Sequence, residues 1–152
     1  MEGAESDALI CEGNVEVFEG MNKIVADIKI YMRMRKELVK LLGPECASDI
    51  LDRRRDEIAG KIKNVIEEKL GVCKLRWKIV KFSPQPVRRN VKREDAYLPI
   101  RVILHTHARG IIFSSDLEEA LFDLQPVLEA LTFGQECVRT TCLNFPQELL
   151  GG

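Results

Sequence analysis

Apolar residues recur at helical spacing over residues 21–70 and then, from Cys73, at every second position. A change of period from about 3.6 to 2 separates helix from strand, because those are the intervals at which side chains return to one face. The pattern therefore predicts helices first and a sheet after them. Over 21–42, Ile24, Ile28, Tyr31, Leu38 and Leu42 form one stripe, widened by Val25, Met32 and Val39. Gly43-Pro44 ends this helix, since Gly suits a left-handed cap and Pro cannot continue the ladder. A second helix is expected over 46–70, with Ile50, Leu51, Ile58, Ile62, Val65 and Leu70 inward and Gly71 as its stop. The short link predicts an antiparallel helical hairpin.

Beyond it, Cys73, Leu75, Trp77 and Ile79 alternate with Lys74, Arg76 and Lys78, as in a half-buried strand. A Pro-containing basic loop is expected over 83–97. Residues 98–105 and 110–114 read as two further strands around a Thr-His-Ala-Arg-Gly turn. Ser115 opens a third helix, with Glu118 at capping-box spacing, and Pro126 kinks or ends it near Gln125. Residues 137–145 are a candidate edge strand. The expected class is α+β: an N-terminal helical hairpin, a three- to four-stranded antiparallel sheet with one open face, and a C-terminal helix. One domain over 20–152 follows an acidic, partly disordered segment over 1–19.

Charge is distributed unevenly along a chain whose net charge is −1. Residues 1–19 carry six acids and no Lys or Arg, whereas residues 20–115 hold 22 Lys/Arg against 11 Asp/Glu. Between Lys74 and Arg93 stand eight basic residues and no acid: Lys74, Arg76, Lys78, Lys81, Arg88, Arg89, Lys92 and Arg93. Such a field attracts polyanions or acidic partners. With Ile100, Val102 and Leu104 inward on the strand over 98–105, Arg101, Ile103 and His105 face out. The outward face of the sheet is then basic, and the Arg88, Arg89, Lys92, Arg93 loop extends it. Phosphates suit this arrangement, because the Arg fork donates two hydrogen bonds at once. The reading that follows is a non-enzymatic module binding nucleic acid, RNA favoured, through its phosphate backbone. Ordinary solvated strand charges and an acidic protein partner compete with it.

From the second helix onward, the order helix–strands–helix resembles double-stranded-RNA-binding domains and ribosome-hibernation factors. The stretch LPIRVILHTHARGIIFSSDLEEAL carries the resemblance, as a strand–turn–strand–capped-helix unit. It implies a sheet covered by helices on one face. Where the RNA-binding families place Lys, the last helix begins with Asp116, Glu118 and Glu119, so no functional residue is carried over.

A second function class rests on the first helix. Its apolar surface is wide enough to need burial on more than one side, so Ile24, Ile28, Tyr31 and Met32 are candidate self-association residues of a homodimer or adaptor. Enzyme chemistry has little support. His105 and His107 are two apart and lack a recognisable third metal ligand, and no phosphate-binding loop or nucleophile elbow occurs. No cofactor is expected. Arg53, Arg54 and Arg55 lie among Asp52, Asp56 and Glu57, as on a salt-bridged helix surface. Five scattered cysteines make a poor disulfide framework, and the acidic N-terminus lacks a signal segment, so an intracellular location is expected. The terminal Leu-Leu-Gly-Gly reads as a frayed end and not as a conjugating tail.

Overall fold

The computed structural model describes residues 9–107 and 114–132. It opens on strands, not helices. β1 (Leu9–Gly20) and β2 (Lys23–Met34) form an antiparallel hairpin around Met21-Asn22, with Asn22 at φ 58°. Asn tolerates this left-handed conformation better than most residues, which suits a two-residue turn. Three helical segments follow: α1 (Lys36–Leu42), α2 (Pro44–Arg53) and α3 (Arg55–Leu70). The chain returns to the sheet as β3 (Lys78–Pro84), β4 (Arg88–Asn90) and β5 (Asp95–His107). It then ends the described part with α4 (Ser114–Asp123) and α5 (Gln125–Thr132). The strand order is β1-β2-β5-β3, β4 also pairs with β5, and every pairing is antiparallel.

The expected N-terminal helical hairpin is therefore overturned. Residues 23–34 form the strand between β1 and β5, burying Ile24, Ala26, Ile28, Ile30, Met32 and Met34 on one side. Residues 9–19, expected to lie apart from the domain in an acidic segment, are the body of β1. The basic loop expected over 83–97 is mostly a second hairpin, β4–β5, turning at 91–94. Its turn is secured by the Asn90 side chain, which accepts the Arg93 N–H at 3.1 Å. Residues 98–105 are a strand, but within the longer β5. Residues 110–113 of the next expected strand, the candidate strand over 137–145 and the terminal glycines lie outside the described residues. With a strand hairpin leading and β2 beside β5, the element order differs from the RNA-binding families that the sequence resembles.

The helix boundaries follow local chemistry. Gly43, at φ 90°, donates its N–H to the Val39 carbonyl at 2.8 Å, and Pro44 begins α2 where its missing N–H costs nothing. The long helix expected over 46–70 breaks at Arg54. α3 stops before Gly71, and α4 gives way to α5 just before Pro126.

The core lies between the helices and one face of the sheet. β2 and β5 contribute their even-numbered residues, including Ile28, Ile30, Leu98, Ile100, Val102 and Leu104, and β1 adds Leu9 and Cys11. Val39, Leu51, Ile58, Ile62, Ile66, Leu124 and Leu131 close it from the helical side. A register shift between Ile79 and Lys81 interrupts β3. It places Lys81 opposite Ile103 and Phe82 opposite Val102, so Lys81 points away from the core and Phe82 toward it. No helix among the described residues is long and apolar enough to cross a membrane.

Candidate functional site

Strand register sorts the open face into rows. Phe18, Val25, His105 and Lys78 form one, then Glu16, Asp27, Ile103 and Lys81, then Asn14, Lys29, Arg101 and Ser83. Glu12, Tyr31 and Pro99 follow, and Ile10, Arg33, Tyr97 and Arg88 close the array. Acids sit at the β1 end of the rows and bases toward β3 and β4. A concave surface of about 490 Å³ opens on the basic side, lined by Lys29, Tyr31, Lys81, Gln85, Arg88, Tyr97 and Arg101.

Two arginines of the open face are already engaged. Arg101 donates Nε and Nη2 to the two Asp27 oxygens at 3.1 and 2.7 Å, a bidentate fork across β2 and β5. Those hydrogen bonds hold the Asp27 carboxyl below its ordinary range, against the opposing effect of burial. Arg33 pairs with Asp95 and lies 3.7 Å from Glu12, with its guanidinium carbon 4.7 Å from the Tyr97 ring centre. Burial works against the Arg33 charge, but the Asp95 contact outweighs it and raises the guanidinium's affinity for its proton. Tyr97 also meets Tyr31 edge-on, with ring centres 5.9 Å apart and planes at 72°. The two half-buried rings are thereby fixed on the floor of the concavity.

Among the described residues, no carboxylate lies within ion-pair distance of Lys29, Lys78, Lys81 or Arg88. Three of these line or flank Tyr31 and Tyr97, and Lys78 continues the row of bases toward His105. Burial and nearby Lys23 hold His105 below the ordinary histidine range, which disfavours its charged form.

The structure divides the basic residues singled out in the sequence. Lys78, Lys81, Arg88 and Arg101 share the open face, although Arg101 is neutralised by Asp27. Lys92 and Arg93 are exposed in the turn beyond β4. Arg89 opposes Ala96 on the other face and points toward Glu45, 3.9 Å away. Lys74 and Arg76 are not on a strand at all. The alternation over 73–79 predicts burial correctly, with Trp77 buried and Lys74 and Arg76 exposed, but pairing starts only at Lys78. Asp123 diverts the segment, since its carboxylate takes the Lys74 and Leu75 N–H groups. Lys29, Tyr97 and Gln85 were not singled out in the sequence. The alternation Ile28-Lys29-Ile30-Tyr31-Met32-Arg33-Met34 is the signal that places Lys29, Tyr31 and Arg33 together.

The helix expected to carry the candidate self-association set is replaced by β2. Ile24, Ile28 and Met32 are buried beneath the helices of their own chain, while Tyr31 lies on the opposite face. His105 and His107 do share the open face, yet no group of three or more metal-binding side chains occurs among the described residues. Arg54 pairs with Glu57 at 2.8 Å. Arg55 donates to the carbonyls of Pro84 and Gln85, tying α3 to the end of β3. No family model, no curated protein and no solved structure matches the chain.

Proposed function

We propose that the open sheet face binds single-stranded nucleic acid, RNA in the first instance, without catalysing a reaction on it. Lys29, Lys81 and Arg88 meet phosphates, Lys78 and the Lys92-Arg93 turn extend the track, and bases lie over Tyr31 and Tyr97. The observation that carries this reading is the grouping, among the described residues, of cations without ion-pair partners around two fixed tyrosines, on a face that no described helix covers. Cations supply affinity through counterion release, while aromatic rings stack on bases of any sequence. A single strand is favoured over a duplex because an open sheet presents bases with a platform and offers no element to enter a major groove. From Tyr97 to His105 the track spans about 26 Å at ~3.3 Å per residue, room for a few nucleotides. An intracellular setting accords with Cys46 and Cys73 being free thiols.

Fluorescence anisotropy with labelled single-stranded RNA, measured against salt concentration, tests the proposal. The unmodified protein should lose affinity steeply with salt, and Lys81→Ala with Arg88→Ala should flatten the log–log slope by about 1.4. Tyr97→Ala should weaken binding several-fold at every salt concentration. An acidic protein partner would use the same cations, so failure to bind RNA together with salt-sensitive capture of polyglutamate would replace this reading.

A further inference from the structure

A second concavity, of about 780 Å³, lies on the helical side of the molecule between the turn after α3 and the junction of α4 with α5. Val72, Leu75, Phe122 and Pro126 form its apolar part. Val72 is 68% exposed and Phe122 80% exposed, so neither is satisfied by the core. Its rim is acidic: among the described residues, Glu118, Glu119 and Glu129 stand against a single cation, Lys74. Asp123 also lines it, but its carboxylate is already occupied by Lys74 N, Leu75 N and Trp77 Nε1.

We infer that this groove is a docking site for a basic, apolar-anchored peptide segment of another protein. An aliphatic or aromatic side chain of the partner covers Phe122 and Val72, and its Lys or Arg residues meet the three glutamates. Exposed aromatic surface beside an unbalanced charge is the arrangement that gives an anchor its affinity and a rim its selectivity. The sign of the rim also keeps polyanions out, so the assignment is independent of what binds the open sheet face. Helical geometry contributes as well, because Glu118, Phe122 and Glu129 are presented on two consecutive helices whose angle is set by the break at Leu124.

The test is a titration of the full chain with a short amphipathic peptide carrying leucines at helical spacing and lysines elsewhere, followed by backbone and side-chain NMR. Shifts should concentrate at Val72, Leu75, Phe122 and Glu129, and the same peptide with glutamates in place of lysines should produce none. Phe122→Ala, at an exposed position that folding does not need, should weaken binding about tenfold, and Glu118→Gln with Glu129→Gln by a similar factor. Loss of affinity in the glutamine variant alone, with Phe122→Ala unchanged, would mean diffuse charge attraction and overturn the inference. So would shifts scattered over the surface, or contacts in the free protein from the Phe122 ring to residues 133–152, which would give the groove to the chain's own tail.

Discussion

The carboxylate of Asp123 accepts the indole Nε1–H of Trp77 at 2.9 Å, joining the last residue of α4 to the residue that precedes β3. Because the same carboxylate takes the N–H groups of Lys74 and Leu75, one side chain organises the whole connection from α3 to the sheet. Burial and the nearby Asp123 charge also keep the Cys73 thiol protonated, above its ordinary range, so this connection holds no reactive thiolate. Asp123→Ala leaves the indole donor without a partner at a buried position. The expected loss is about 2–3 kcal/mol in urea denaturation. A changed near-ultraviolet circular dichroism signal from Trp77, the single tryptophan, should accompany it.

Acid should expose the Asp27–Arg101 fork. The folded-state pKa of Asp27 is depressed, so its stabilising contribution is complete above the ordinary aspartate value of about 3.9 and fades as pH falls through the lower folded value. Asp27→Asn removes that contribution at every pH. Urea midpoints of the two proteins should differ at pH 7 and converge below about pH 4. A gap of constant size down to strong acid would mean that the variant acts through packing instead.

Position, and not charge count, should decide which cations matter for RNA. Lys74→Ala with Arg76→Ala removes two positive charges from the turn before β3, off the open face. Affinity for single-stranded RNA should stay within about twofold of the unmodified protein. The equally charged change Lys81→Ala with Arg88→Ala should weaken it strongly. Equal losses from both pairs would reduce the proposed track to a general electrostatic field.

Ile28 distinguishes a core strand from a self-association helix. Its side chain is fully buried, so Ile28→Ala should cost about 3 kcal/mol of stability. Light scattering should record the same mass before and after the change. A fall in mass without loss of stability would instead place Ile28 in a self-association interface.

Residues 21–34 carry a pattern that fits helix and strand alike. Ile24, Ile28 and Met32 recur every four residues, and four is close to a helical turn but also an even number, so the same three share a face in a strand. The residues that discriminate are Ala26, Ile30 and Met34, which complete a strict alternation. Val25 and Tyr31 hide it, because a strand flanked on both sides by others carries apolar groups on its open face too. Where chain chemistry acts locally, the structure was readable: Gly43-Pro44, Gly71 and Pro126 each mark a boundary within a residue or two. The outward placement of Arg101, Ile103 and His105 followed from the alternation of β5. Its neutralisation by Asp27 did not, since that contact joins residues 74 positions apart. Tyr97 is not legible as a strand residue, because its strand begins inside a stretch rich in Pro and Arg that reads as a loop.

Val80 is the surplus residue of β3, the outermost strand on its side among the described residues. With strict alternation from Lys78, an ammonium group at Lys81 would press into hydrocarbon and the Phe82 ring would stand in water. One inserted residue reverses both outcomes. It also leaves this margin uneven, a poor template for the backbone of a neighbouring chain, so crowded copies of the protein have little means of zipping together along it.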